Sequence, residues 1–295
     1  MDARAIAIGL AFALMWSSAF TAARILVQDA PPLMALTLRF VVSGAIAVAI
    51  ARCMGESWRL TPAQWRATIV FGLCQNALYL GLNFVAIQTV EASLAAVIAS
   101  TMPLLVALIG RVVLGDRLPW LAVAGLIGGF AGVTLIMGVR LGAAGADPFG
   151  VALCMLAALA LAIATLLVSG ASSGGNVMMI VGLQMLVGAG ILAGPALLLD
   201  TPEVVWSGRL VAAFLYLALI PGLAATWVWF VLVRRVGAVR AAAFHFLNPC
   251  FGVALAVLVL GEGFGPVDAA GVAVVMAGIL AVQRARRPRL TGSLR

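Results

Sequence analysis

Ten apolar stretches, each about as long as a membrane-spanning helix, limit what this chain can fold into. A helix needs about 20 apolar residues to cross the hydrocarbon core of a bilayer. Short segments with glycine, proline or polar residues separate the stretches. The sequence therefore predicts an all-α integral membrane protein with ten transmembrane helices. The predicted spans are residues 5–27, 33–52, 66–88, 91–113, 119–138, 149–168, 177–198, 209–233, 238–260 and 265–283.

Composition excludes a soluble fold and argues against nucleic acid as a partner. The chain is 64% hydrophobic and 9% charged, whereas soluble domains are roughly 45–50% apolar and about 25% charged. The net charge of +8 comes from arginines that stand singly or in small groups between the apolar runs. Such placement is typical of membrane topology signals. The expected partners are the lipid bilayer and a small-molecule substrate.

The arginines also predict an orientation. With a cytoplasmic N-terminus, 14 of the 18 arginines fall in cytoplasmic segments, among them a basic tail at residues 286–295. The positive-inside rule then places both termini in the cytoplasm, which requires an even number of spans. We expect a multi-pass protein of the bacterial inner (plasma) membrane.

An internal repeat appears when the chain is shifted by 146 residues. An odd number of spans separates the two copies, so they face opposite sides of the membrane. The agreement is firm for the last two helices of each half and weak for the first three. It predicts two inverted five-helix repeats, residues 1–141 and 149–285. The matching positions are Val90/Val236, Ala92/Ala238, Pro103/Pro249, Gly115-Asp116/Gly261-Glu262, Gly125/Gly271 and Gly132/Gly278.

Inverted repeats are typical of secondary transporters, in which the substrate site lies near the midplane between the two halves. We therefore predict transport by alternating access.

Several motifs carry a family resemblance. The stretch 86–114, followed by Gly115-Asp116, resembles the signature of the drug/metabolite transporter superfamily, and 236–262 repeats it. More narrowly, it is similar to ten-helix exporters with two EamA-type domains. Met15–Phe20 (MWSSAF) and Leu38-Arg39-Phe40 resemble motifs in the first and second helices of that family.

This resemblance implies the ten-helix transporter fold and the export or exchange of metabolites, often amino acids. Within that family, the chain resembles the aromatic-amino-acid exporter branch, although no motif identifies that substrate. One departure is that the second half lacks a matching first-helix tryptophan.

Polar and aromatic side chains within the spans are the candidate substrate ligands. Polar groups at lipid depth are unfavourable unless satisfied, and those that persist tend to face a cavity or the bundle interior. The predicted substrate-binding residues are Trp16, Ser17, Asn76, Tyr79, Asn83, Met102, Gln184, Trp227, Phe244, His245 and Asn248.

Within this set, Asn76, Tyr79 and Asn83 have i, i+3, i+7 spacing and share one face of an α-helix. That stripe either lines the cavity or bonds to a neighbouring helix, as amides often do in membranes.

Two mid-span prolines, Pro103 and Pro249, are predicted kinks or hinges, because proline frees a backbone carbonyl. His245, the only histidine, precedes Pro249 by one turn. It is either a hydrogen-bonded core residue or part of the site.

Two further features each allow two interpretations. Arg39 within the second span is either structural or attracts a substrate carboxylate. The pairs Gly125/Gly129 and Gly128/Gly132 allow close helix packing, within the bundle or across a dimer, so both a monomer and a homodimer stay open.

No catalytic arrangement is visible: the chain has no HExxH, paired acids, P-loop or Ser/His/Asp set. We predict no catalytic residues, no metal site, no cofactor and no enzymatic activity. Because no Asp or Glu is central in a span, a facilitator is favoured. A proton-coupled efflux carrier and a channel-like pore are the alternatives.

Overall fold

The computed structural model describes residues 3–113, 115, 118–142, 147–167, 175–236 and 243–285, and all its regular elements are helical. In this part of the chain, nine helices are long and apolar enough to cross a membrane. A shorter apolar helix, Asn248–Leu260, directly follows a 3₁₀ segment and completes the predicted set of ten. The all-α, ten-helix prediction is confirmed.

The observed helices end within four residues of the predicted limits wherever the structure describes those limits. Residues 238–242 of the ninth predicted span and the basic tail 286–295 lie outside the described residues. The helices are α1 (Ala3–Asp29), α2 (Pro32–Cys53), α3 (Pro62–Ala86), α4 (Ala92–Val112), α5 (Trp120–Gly142), α6 (Pro148–Leu167), α7 (Val177–Leu199), α8 (208–236), α9 (243–260) and α10 (Pro266–Ala285).

Local signals fix where several helices begin. Pro32, Pro62, Pro148 and Pro266 each stand at the first position of a helix, where the missing N–H needs no partner and the fixed φ suits the helix. Before α3, Thr61 forms a capping box, because its hydroxyl accepts from the Gln64 backbone while the Gln64 side chain accepts from the Thr61 backbone.

Helices α5 and α10 pack along a glycine seam that obeys the repeat. A Cβ atom added at Gly125 would lie 2.7 Å from the Gly278 carbonyl oxygen, and one at Gly132 would lie 2.8 Å from the Gly271 oxygen. The 146-residue shift maps Gly125 onto Gly271 and Gly132 onto Gly278, so each of the two contacts is the repeat of the other. The two helices are therefore related by a pseudo-twofold axis, as an inverted repeat requires. These glycines serve contacts within one chain.

The inverted arrangement extends beyond the two helices in which the sequence match is firm. Helices α2 and α7 cross at Gly44 and Gly182, where a Cβ on either glycine would lie 3.0 Å from the other's carbonyl oxygen. The third helix of each half contains a π-helical segment at equivalent places, Gly72–Leu80 in α3 and Ile220–Ala224 in α8.

Acidic side chains of each half cap a helix of the other half. The Glu56 carboxylate, which follows α2, accepts hydrogen bonds from the backbone N–H of Met178 (3.3 Å) and Met179 (2.7 Å) at the start of α7. Asp200, which follows α7, accepts from the N–H of Met34 at the start of α2 (2.7 Å). Negative charge stabilises a helix N-terminus, so these caps tie the halves together.

The Gly-acid motif of the second half makes the same kind of contact. Gly261 ends α9 with a φ of 69°, a conformation that glycine adopts without strain. The following Glu262 accepts from the backbone N–H of Ala92 (2.7 Å) and Ser93 (2.9 Å) at the start of α4. Gly115 has a matching φ of 73°, and Asp116 lies outside the described residues.

A fourth acid, Asp147, joins the two halves outside the membrane-spanning segments. It accepts from the Thr89 hydroxyl (2.8 Å) and from the backbone N–H of Phe149 and Gly150 at the start of α6. The bond from Thr89, with the two backbone bonds, lowers the pKa of Asp147 against the opposing effect of desolvation. This carboxylate therefore stays charged where it caps α6.

The glycine seam generates a stability prediction. A Cβ on Gly278 would meet backbone atoms of Gly125 and Gly129 at 2.6–2.7 Å, whereas one on Gly128 meets nothing within 4 Å. Because overpacking against backbone costs about 1–3 kcal/mol, Gly278→Ala should lower the Tm of the purified protein in detergent. The matched control, Gly128→Ala, should leave the Tm unchanged or slightly raised. Equal Tm values for both variants would contradict the seam.

Candidate functional site

Three neighbouring cavities surround Trp16 in the middle of the bundle. The large cavity has a volume of about 410 Å³, and its wall includes Trp16, Gln75, Met102, Gln184, Trp229 and His245. The broken-helix pocket, about 50 Å³, is lined by Trp16, Ser17, Tyr79, Ser100, Met102 and Asn248 among others. The arginine pocket, also about 50 Å³, is lined by Trp16, Phe20, Arg39, Gln75, Tyr79 and Asn83 among others. Helices of both repeats contribute to these walls.

His245 sits in an aromatic box in the wall of the large cavity. The rings of Phe12 and Trp16 meet its imidazole edge-on at 5.2 and 6.3 Å, and Trp229 lies at 5.1 Å. The Asn248 amide nitrogen donates to His245 Nδ1 at 3.1 Å. This bond favours the neutral tautomer with its proton on Nε2.

The fourth helix of each half breaks at its proline, and both breaks border the broken-helix pocket. Helix α4 is interrupted at Ser100 and Thr101 before it continues as Met102–Val112. In α9 a 3₁₀ segment changes to α-helix at Asn248, which is 146 residues after Met102. Proline removes the N–H that would complete the preceding turn. The predicted kinks at Pro103 and Pro249 therefore coincide with interruptions of the helices beside a cavity.

The predicted stripe of Asn76, Tyr79 and Asn83 does not face one cavity. Tyr79 and Asn83 line the arginine pocket. Asn76 instead donates from its amide to the Gln184 carbonyl of α7 (2.8 Å) and packs against Gly188, so it joins two helices. The π-helical segment is the physical reason, because its i→i+5 bonds change the angle per residue and turn Asn76 away from Tyr79.

Two other predicted residues do not reach these cavities. Trp227 is 56% exposed on the outside of the bundle. Phe244 is buried against Gly9 of α1 and clusters with Leu232 of α8. Of the remaining candidates, Ser17 donates to the Asn248 carbonyl (3.3 Å) and so links α1 to α9.

Further residues that line the cavities include Phe12, Gln75, Arg39 and Trp229. The sequence does indicate Gln75 as a candidate, since it is a polar residue within a predicted span. Trp229 stands two residues after Trp227, about 200° away around an α-helix. Because α8 has apolar side chains on both faces, the sequence does not indicate which of these two tryptophans faces the cavity.

The large cavity extends to one end of the bundle. Its wall includes Gln64 and Val177 near the starts of α3 and α7, and Thr165 near the end of α6. These are the helix ends that the arginine distribution predicts to face the cytoplasm. At the other end, Glu262 holds the start of α4, and Arg24 donates to the carbonyl of Ile87.

Ten helices in two inverted repeats around a central cavity define a multi-pass membrane transporter. The chain matches the EamA-like transporter family twice, over residues 3–138 and 148–283. This protein belongs to the EamA-like transporter family and transports small molecules.

Similar proteins span most of this chain. The uncharacterized inner membrane transporter YedA of Escherichia coli K12 is 26% identical over 285 residues, covering 93% of this chain and 89% of YedA. The uncharacterized transporter YvbV of Bacillus subtilis is 25% identical over 251 residues, covering 84% and 81%. Protein PecM of Dickeya dadantii is 24% identical over 256 residues, covering 85% and 83%.

A solved crystal structure has the same fold. It superimposes with a TM-score of 0.68 and 23% sequence identity, covering 97% of this chain and 99% of that chain.

The position of Trp16 generates a second prediction. Because its ring lines all three cavities, Trp16→Leu should lower the initial rate of substrate counterflow in proteoliposomes by about tenfold, as expected when a large aromatic contact is lost. Trp227→Leu is the matched control, and its flux should stay within about twofold of wild type because the side chain is 56% exposed. Equal losses in both variants would count against a site at Trp16.

Proposed function

We propose that this protein is a secondary transporter that exports or exchanges small amphipathic metabolites, most of all amino acids, by alternating access. One observation carries the proposal: a central cavity of about 410 Å³, lined by residues of both repeats, extends to the predicted cytoplasmic end of the bundle. A central cavity that extends to one end of the bundle suits a carrier facing one side, and it disfavours a continuous channel-like pore.

The chemistry of the walls supports an amphipathic solute. Phe12, Trp16 and Met102 present aromatic and thioether surface for an apolar body. The side-chain amides of Gln75 and Gln184 on the same wall can donate and accept hydrogen bonds. This combination suits amino acids, including aromatic and other apolar ones.

The alternation itself follows from pseudo-symmetry. Glu262 binds the start of α4 at the predicted outer end. The 146-residue shift relates Glu262 to Asp116 and Ala92 to Ala238, two positions that lie outside the described residues. In the proposed cycle the contact between Glu262 and α4 breaks when the predicted outer end opens, and the helix breaks before Pro103 and Pro249 act as hinges.

We place the transporter in a bacterial inner membrane with both termini in the cytoplasm. Support comes from the arginine distribution and from the similarity to YedA, which is named as an inner membrane transporter. Transport from the large cavity would then begin on the cytoplasmic side, which suits export.

The driving force distinguishes a facilitator from the second candidate, a proton-coupled carrier. None of the residues that line the three cavities is an Asp or Glu, which favours a facilitator because ion-coupled carriers usually keep an ionisable site at mid-depth. His245 in the wall of the large cavity is the observation that favours proton coupling.

A flux experiment tests the proposed function. Proteoliposomes loaded with unlabelled amino acids should take up radiolabelled L-phenylalanine or L-leucine by saturable counterflow, and an imposed pH step should drive no accumulation above equilibrium. Uphill accumulation that His245→Ala abolishes would replace the facilitator with the proton-coupled carrier. Flux that neither saturates nor shows counterflow would favour a pore. Failure of every amino acid, with flux of other metabolites, would overturn the substrate assignment.

The contact between Glu262 and α4 generates a prediction about access. In a cysteine-free background, Ile87→Cys should react slowly with a membrane-impermeant thiol reagent from the predicted outer face, because Ile87 lines the arginine pocket and is 1% exposed. Adding Glu262→Ala should speed that labelling about tenfold or more, since bonds to a charged acceptor are worth roughly 1.5–3 kcal/mol.

The control variant is Glu203→Ala, which removes an exposed acid at the same end of the bundle. It should leave the labelling rate of Ile87→Cys unchanged. If Glu262→Ala labels no faster than this control, Glu262 does not hold the outer end closed.

A further inference from the structure

Arg39 is a buried cation that no carboxylate neutralises among the residues the structure describes. Its side chain is 4% exposed and belongs to α2, seven residues after the helix begins at Pro32, which is about 10 Å along the helix. A charge at that depth is unfavourable unless it meets an opposite charge, polar groups or a cavity. The negative partner of Arg39 therefore has to come from elsewhere.

The protein holds Arg39 by one side of its guanidinium. Its Nε donates to the Leu217 carbonyl at 3.1 Å, and Leu217 precedes Pro221 by four residues, so its carbonyl has lost the usual helical N–H partner. Gly222 lies beside the guanidinium, since a Cβ there would be in ordinary contact with Arg39 Nη2 at 3.8 Å. The bond uses one of five N–H donors, and the guanidinium lines the arginine pocket.

An acceptor without a partner lines the same pocket. Asn83 is 2% exposed, and its amide nitrogen donates to the Tyr79 carbonyl at 2.7 Å. Its side-chain oxygen Oδ1 is buried without a hydrogen-bond partner. Buried polar atoms are nearly always satisfied, so this acceptor is available to a donor group of a bound solute. One pocket thus presents an unneutralised cation and an unpaired acceptor.

We infer that the arginine pocket is the head-group site of the transporter and selects solutes with a carboxylate. Arg39 binds the α-carboxylate of an amino acid, since a guanidinium and a carboxylate form paired, charge-assisted hydrogen bonds. Asn83 Oδ1 accepts from the α-ammonium. This inference rests on the proposed function and adds the group by which a solute is recognised.

The cavity sizes fit this division. The arginine pocket, at about 50 Å³, has room for a head group but not for a whole amino acid. The large cavity, at about 410 Å³, has room for the apolar body. Trp16 and Gln75 belong to both walls, so a solute anchored at Arg39 would place its side chain beside the ring of Trp16.

The test compares four solutes that share one ring: L-phenylalanine, 3-phenylpropionate, L-phenylalaninamide and phenethylamine. Binding to the full-length protein in detergent is measured by calorimetry, and counterflow is measured in proteoliposomes. The wild type should bind the two carboxylates at least about tenfold more tightly than the amide or the amine, the lower end for a hydrogen bond between charged groups. Phenylalanine should bind more tightly than phenylpropionate.

Variants then assign the selectivity to residues. Arg39→Gln should remove the preference for carboxylates, and Arg39→Lys should restore part of it because the charge returns without the planar fork. Asn83→Leu should remove the advantage of phenylalanine over phenylpropionate. Arg209→Gln, at an exposed arginine, should behave as wild type.

The outcomes separate this inference from the transport proposal. If the wild type binds and transports phenethylamine as well as phenylalanine, the head-group site is overturned and the transport proposal stands. This outcome does not depend on whether Arg39→Gln folds. Arg39-dependent binding of carboxylates without flux of any solute supports the site and overturns the transport proposal. Retained carboxylate preference in a folded Arg39→Gln variant, or no binding of any of the four solutes, overturns the head-group site.

Discussion

Backbone N–H and C=O groups inside a bilayer have no water to bond with, so each must find a partner within the protein. In this chain several exceptions to regular helix lie near the middle of the bundle. The fourth helices are interrupted before Pro103 and Pro249, and Pro221 falls in the π-helical segment of α8. Arg39 and Ser43 of α2 bond to the carbonyls of that eighth helix at 3.1 and 3.0 Å. Because side chains of α2 bond to these carbonyls, the helix can be irregular here, and polar groups lie in the middle of an apolar bundle.

The two halves are joined by contacts that the pseudo-twofold axis repeats. Glycines of α5 and α10 bring the backbones together, while Glu56 and Asp200 cap the start of a helix in the opposite half. The bond from Glu262 to α4 belongs to this set. Like the Asp200 cap it lies at the predicted outer end, whereas the Glu56 cap lies at the end that the large cavity reaches. In the alternating cycle proposed for this protein, such contacts break in turn at the two ends.

Sequence periodicity located the helices well and the faces of those helices poorly. The spacing of Asn76, Tyr79 and Asn83 implied one stripe, but π-helical turns divide it, and no residue type in Gly72–Leu80 signals those turns. Trp227 and Trp229 are equally apolar neighbours, and one lines the large cavity while the other is 56% exposed. In a membrane protein both the lipid and the interior favour apolar residues, so hydrophobicity no longer distinguishes inside from outside.

The sequence by itself determined the ten spans, the inverted repeat and the position of the mid-span prolines, because span length and a 146-residue match are local or pairwise properties of the chain. It also marked Arg39 as unusual without assigning its role. Only the tertiary structure decided which polar groups share a cavity. Arg39 and Asn83 are 44 residues apart on different helices, and the Leu217 carbonyl that holds Arg39 comes from the other repeat. Their meeting depends on helix packing, which the order of residues along one helix does not encode.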